Sequence, residues 1–147
     1  MNYPLDILML PIQLIVAWFT VYYTVIAVFG IWHRKDRDLS APKNKFALMI
    51  PAHNEEMVLG DLLENLKILK YPKELYDIYV IADNCTDSTA EVAHRHGAYV
   101  LERCNKELGG KGYAMDWAFP KIFETGRHYD AFCVFDADNL VHLAFLA

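Results

Sequence analysis

The chain has 147 residues, 54% of them hydrophobic, and a net charge of −5 at neutral pH. That balance supplies no basic patch for a nucleic-acid partner, and the length admits one modest domain. Cys85, Cys104 and Cys133 are odd in number and lack paired metal-type spacing, which suits a reducing compartment rather than a disulfide framework.

Asp6 is the last acidic or basic residue before Arg34, so Ile7 to Trp32 carry no formal charge. Roughly 20 apolar residues cross the hydrocarbon core at 1.5 Å rise each, so this stretch is long enough to span a bilayer with some tilt. Pro11 lies in the first turns, where a helix tolerates it best. A cleaved signal peptide fits poorly, because there is no basic n-region and no small-x-small site follows the long apolar run. Residues 1–33 are therefore expected to form a single-pass transmembrane anchor in contact with membrane lipid. No Lys or Arg precedes the span, whereas His33-Arg34-Lys35-Asp36-Arg37 follows it at once. Positive charge stays cytoplasmic, which places the N-terminus outside the cell (plasma) membrane and the remainder in the cytoplasm. Residues 34–45 read as a basic, Pro-containing juxtamembrane linker.

The domain proper, residues 46–147, alternates strand and helix. Phe46–Ile50 is a continuous apolar run of the kind found in strands covered on both faces of a parallel sheet. Asn54 is a candidate helix N-cap, with Glu55 and Glu56 complementing the positive helix end. Val58, Leu59, Leu62, Leu63, Leu66 and Leu69 form the apolar stripe of the helix that follows. Ile78–Ala82 reads as a second strand, ending at Asp83-Asn84-Cys85-Thr86-Asp87. Ser88 and Glu91 have capping-box spacing for a helix running to Gly97. A short strand over Ala98–Leu101 comes next. A helix then opens within Glu107–Ala114 and is expected to kink or end near Pro120. The apolar run Ala131–Phe135 is the fourth strand. This order predicts an α/β fold with a parallel sheet whose ligand edge lies at the strand carboxyl ends.

The chemistry concentrates at that edge. In Phe135-Asp136-Ala137-Asp138-Asn139 the two carboxylates are two residues apart where a strand stops, so they can converge. Hard oxygen ligands of this kind suit Mg2+ or Mn2+, which keep open positions for substrate phosphates; a solvated turn is the plainer alternative. Asp83, directly after a strand, could accept from a base N–H or a ribose hydroxyl, while Asp87 reads as a cap or turn residue. Gly109-Gly110-Lys111-Gly112 offers backbone N–H groups and a cation at a helix start. It could hold an anion or be a flexible turn, but it matches neither a P-loop nor a dinucleotide fingerprint. Asn54-Glu55-Glu56 could equally be only a helix cap. His94 and His96 read as a solvated helix end, and His53 as polar packing. A phosphatase of the haloacid dehalogenase type is a distant alternative, since three strands here precede the aspartates.

Taken together, Pro51-Ala-His-Asn-Glu-Glu56, Ala82-Asp-Asn-Cys-Thr-Asp87, Gly110-Lys-Gly-Tyr-Ala114 and Phe135-Asp-Ala-Asp138 resemble the family 2 glycosyltransferases, in their membrane-anchored, polysaccharide-synthase-like branch. The resemblance implies a partial GT-A domain (Rossmann-like, mostly parallel sheet) that binds a nucleotide-sugar behind the transmembrane helix. It implies a metal-dependent, inverting transfer from a UDP-sugar donor to a glycan or lipid-linked acceptor, of the hexosyl- or N-acetylhexosaminyltransferase class. By the same resemblance, Pro51, Ala52, Asn54, Glu55 and Asp83 hold the uracil and ribose, and Lys111 approaches the nucleotide or the diphosphate. Asp136 helps bind the donor and Asp138 ligates the metal. The family's acceptor base and its Arg-Trp motif would lie beyond Ala147. The chain is thus expected to be an N-terminal fragment, the donor-binding half. The alternative is a truncated, inactive membrane-tethered nucleotide-sugar-binding or interaction module, with a second chain as the partner that could complete the domain.

Overall fold

The computed structural model describes residues 3–32 and 42–146. The basic cluster expected after the span, and most of the 34–45 linker, lie outside the described residues. The chain divides into two units, an N-terminal helix and an α/β domain.

The first unit is α1, Tyr3–Trp32, which runs through Pro11 without a break. Its Met9–Gly30 portion is long and apolar enough to cross a membrane by length and composition. The Thr20 and Thr24 hydroxyls donate to the carbonyls of Val16 and Thr20, 2.8 and 2.7 Å away, so neither presents an unsatisfied donor on the apolar surface.

The second unit contains β1 (Phe46–Ala52), α2 (Leu59–Lys67), β2 (Tyr76–Asp83), α3 (Thr89–Arg95), β3 (Tyr99–Arg103), α4 (Lys111–Glu124) and β4 (Ala131–Val134). The sheet order is β3-β2-β1-β4 and every pairing is parallel, as the strand–helix alternation predicts. Alternation along β1 explains the layers. Leu48 and Ile50 face the leucine stripe of α2 (Leu59, Leu62, Leu63, Leu66) together with Val92 and Ala93 of α3. Ala47 and Met49 face Ala114, Ala118 and Ile122 of α4. Residues 47–50 are completely buried, which is why this strand reads as a continuous apolar run. Each fully buried leucine of α2 contributes about 1.5–3 kcal/mol of burial.

Three local expectations are corrected. Asn54 does not cap α2. That helix starts at Leu59 behind a turn in which Val58 and Leu59 donate to the Glu55 carbonyl, and Val58 occupies the cap position without a side-chain bond. Ser88 precedes α3 but forms no side-chain cap, so the capping box is not made. The Asp87 carboxylate instead accepts from the Thr89 N–H at 3.0 Å, and Glu56 accepts from the Ser88 N–H at 2.9 Å. Pro120 neither ends nor breaks α4, which continues to Glu124. The strands also extend past their expected ends at Asp83 and Arg103, and that extension places these two residues side by side in the register.

The strand order reverses between β1 and β4, since chain order runs outward from β1 to β3 on one side and jumps to β4 on the other. Such a switch point opens a crevice beyond the strand carboxyl ends, and the polar clusters lie there.

Candidate active site

At the carboxyl ends of β1 and β2 the chain turns through two asparagines in the left-handed region, Asn54 (φ 56°) and Asn84 (φ 53°). Asparagine tolerates this conformation better than most residues, and each side chain ties down the neighbouring loop. Asn54 Oδ1 accepts from the Thr86 N–H at 2.8 Å, joining the β1–α2 loop to the β2–α3 loop. Asn84 Nδ2 donates to the Asn105 carbonyl, and the Asn105 N–H returns a bond to Asn84 Oδ1 at 2.7 Å. Thr89, fully buried, accepts from the Glu55 N–H at 2.9 Å and donates to Asp87. Thr89→Val keeps the volume but strands the Glu55 N–H. It is expected to cost about 1–3 kcal/mol, read as a lowered urea midpoint with an unchanged m-value.

Asp83 is the centre of the arrangement and is only 5% exposed. Its Oδ1 accepts from Arg103 Nη1 at 2.5 Å and from Asn84 Nδ2 at 3.0 Å, and its Oδ2 accepts from the Gly110 N–H at 3.3 Å. Gly110 has φ +112°, a conformation that side-chain-bearing residues rarely adopt, and this turn aims its N–H at the carboxylate. Arg103, 7% exposed, also donates through Nη2 to the Leu108 carbonyl at 2.6 Å. His53 Nδ1 lies 2.7 Å from the Asp83 carbonyl. That oxygen can only accept, so the Nδ1 nitrogen carries the proton.

These groups enclose a cavity of about 370 Å³ whose walls include Pro51, Ala52, His53, Glu55, Asp83 and Lys111. Of the residues expected at the site, Pro51, Ala52, Glu55, Asp83 and Lys111 line it directly. Asn54 does not; its amide serves the loop beneath. Lys111, the first residue of α4, forms an exposed ion pair with Asp136 beyond the end of β4, so Asp136 is linked to the cavity through that lysine. Asp138 is exposed two residues further on and has no ion-pair partner among the described residues.

Two carboxylates two residues apart are hard oxygen donors of the kind that Mg2+ and Mn2+ take. Among the described residues no cluster of three or more His, Cys, Asp or Glu side chains assembles. Asp136 and Asp138 are both exposed beyond the end of β4, and Mg2+ and Mn2+ sites commonly take one or two carboxylates and leave other positions to substrate oxygens and water.

Arg103 and Asn105 were not singled out by the sequence, whereas His53, read there as polar packing, lies on the cavity wall. Arg103 had little readable signal, an arginine two residues past the end of the short apolar run Ala98–Leu101. Its pairing became visible only with the register.

A family model described as "Glycosyltransferase like family 2" matches residues 42–147. The chain belongs to the family 2 glycosyltransferases. It is 35% identical over 100 residues to the beta-monoglucosyldiacylglycerol synthase of Nostoc sp. strain PCC 7120, an alignment covering 65% of this chain and 20% of that protein. Among solved structures it resembles the mannosyltransferase PcManGT of Pyrobaculum calidifontis in complex with GDP-Man and Mn2+. That match has a TM-score of 0.60 and 21% identity, covering 88% of this chain and 38% of the other. It also resembles S. aureus TarS in complex with UDP-GlcNAc, with a TM-score of 0.57 and 20% identity over 67% of this chain and 28% of the other. The structural likenesses establish the GT-A-type α/β fold of this family 2 domain. The chain spans a third or less of the length of the first curated relatives it matches, 33% and 20%.

Proposed function

We propose that this family 2 domain binds the donor of a glycosyltransferase, a UDP-sugar whose sugar passes to a glycan or lipid-linked acceptor at the membrane. The observation that carries the reading is Asp83, a buried carboxylate held from three sides at the end of β2 while it lines the cavity. A carboxylate has about four acceptor directions; Arg103, Asn84 and Gly110 occupy three, and one on Oδ2 remains for a ligand N–H or hydroxyl. Pro51, Ala52 and Glu55 form the adjoining wall, suited to the base and ribose. Lys111 also lines the cavity, where a diphosphate would draw it from Asp136.

Asp136 and Asp138 would hold Mg2+ or Mn2+, which supplies Lewis-acid stabilisation of the departing nucleoside diphosphate. Lys111 places its cation against the same developing charge, an interaction stronger in the transition state than in the ground state. Inverting displacement further requires a carboxylate to deprotonate the acceptor hydroxyl, a role given to none of the residues assigned here. α1 would anchor the domain in the plasma membrane, with the N-terminus outside and the domain cytoplasmic. The GDP-Man and Mn2+ complex of PcManGT and the UDP-GlcNAc complex of TarS support the metal and the nucleotide-sugar class.

The test is calorimetric titration of the full chain in detergent micelles with UDP, with and without Mn2+. The expected result is saturable UDP binding that Mn2+ strengthens about 10-fold or more. UDP binding no tighter than that of pyrophosphate would overturn the donor reading.

A further inference from the structure

Beyond β4 the chain forms an arch that carries both exposed aspartates. Its near end is pinned to the sheet, where the Phe135 N–H donates to the Met49 carbonyl at 3.0 Å. Its far end is pinned to a helix, where the Val141 N–H donates to Asn65 Oδ1 of α2 at 2.7 Å. Further along, the Lys70 N–H, just past α2, donates to the Leu143 carbonyl at 2.7 Å. Between the two pins, among the described residues, the one backbone hydrogen bond runs from the Asn139 N–H to the Asp136 carbonyl at 3.2 Å. Ala137 and Val141, 4% and 8% exposed, join the same core as Leu62 and Leu66 of α2. Asp136 and Asp138 therefore stand exposed on either side of a buried alanine.

We infer that Asn65 is a positioning residue for the metal-binding segment. By holding the Val141 N–H it fixes the far end of the arch, and with it the placement of the Asp136 and Asp138 carboxylates. This rests on the donor and metal reading given above. Carboxylates that share an ion must be held within about 0.5 Å of the productive geometry by groups locked in their own packing. Asn65 is such a group: it is half-buried on a helix whose leucines Leu62, Leu63 and Leu66 are deeply buried. A Val141 N–H released from Asn65 turns to water, and the arch gains alternative conformations. Ordering it again around an ion then costs conformational entropy that the pinned arch has already lost in folding. The asparagine thus acts on the ion through the carboxylates, without touching it.

Two variants of the full chain, in micelles, test this. Asn65→Leu removes the acceptor at similar shape, and Asn65→Asp keeps an acceptor oxygen at the same reach. The quantity read is the gain in UDP affinity that Mn2+ gives over the affinity in a chelator. N65L should lower that gain about 10-fold, the smaller end of the range for outer groups of metal sites, and leave the chelated affinity unchanged. N65D should keep the wild-type gain, although a negative charge in the last turn of α2 lowers its urea midpoint slightly. A merely structural bond would lower the urea midpoint of N65L and leave the Mn2+ gain of the folded protein untouched. Hydrogen exchange on the wild-type chain gives a second reading that depends on no variant. Because coupling is reciprocal, UDP with Mn2+ should slow exchange of the amides at 140–142 as well as those at 136–139. A folded N65L with the wild-type gain, an N65D that loses as much as N65L, or protection confined to 136–139 would overturn the inference and leave the donor and metal readings intact. A wild-type chain with no Mn2+ gain would overturn the metal reading and this inference together. UDP binding no tighter than that of pyrophosphate would overturn the donor reading on which both stand.

Discussion

Asp83→Ala is expected to destabilise the α/β domain by about 3–5 kcal/mol, because it leaves the guanidinium of Arg103 buried without its counter-charge. The pair is among the least accessible in the domain, with side chains only 5% and 7% exposed, so solvent screening does little to soften the loss. Domains of this size have roughly 5–15 kcal/mol of stability in total, and a change of that order moves the urea midpoint far enough to measure without extrapolation. Asp83→Asn separates stability from recognition. Its amide oxygen can still accept from Arg103, which spares that hydrogen bond, but the counter-charge is lost here too and the other atom becomes a donor facing the Gly110 N–H, so the structural cost should be only partly below that of alanine. UDP affinity should then drop about 10–100-fold while pyrophosphate affinity changes little, since pyrophosphate has no base to read. Equal losses for the two ligands would mean that Asp83 does not contact the nucleoside.

The elements most legible in the sequence were those specified by burial. Phe46–Ile50 and the leucine stripe from Leu59 to Leu66 could be read because a doubly covered strand and an amphipathic helix leave patterns that depend on nothing distant. The ends of the elements were less legible because distant groups decide them. Asn54 has the composition of an N-cap, yet its amide is claimed by Thr86, 32 residues away, and the chain must make a left-handed turn before α2 can begin. Ser88 likewise yields to Asp87 and Glu56. At the site, spacing placed Asp83, Lys111 and Asp136 at one sheet edge, and the strand order brings them there. Arg103 stayed hidden because its role lies in the β2–β3 register, and one residue of register decides whether an arginine at a strand end meets a carboxylate.

The metal assignment yields the sharpest contrast between structure and function. Asp138 is exposed and has no ion-pair partner among the described residues, so Asp138→Ala should alter stability by no more than about 0.5 kcal/mol. If it ligates the metal bridging the diphosphate, the same change should erase the gain in UDP affinity that Mn2+ confers, a loss of roughly 100-fold if the ion supplies several kcal/mol. The UDP affinity measured with a chelator present should stay at the wild-type value, because Asp83 and Lys111 are untouched. Asp136→Ala should behave differently in that chelated state. It removes the carboxylate that Lys111 pairs with, so the lysine becomes free for the diphosphate and metal-free pyrophosphate binding should tighten, even as the response to Mn2+ disappears. The two aspartates are thus distinguishable although they are two residues apart: one answers only to the ion, the other to the ion and to Lys111. An undiminished Mn2+ response in D138A would remove Asp138 from the metal site and leave the D-x-D pair as a solvated turn carrying one ion pair.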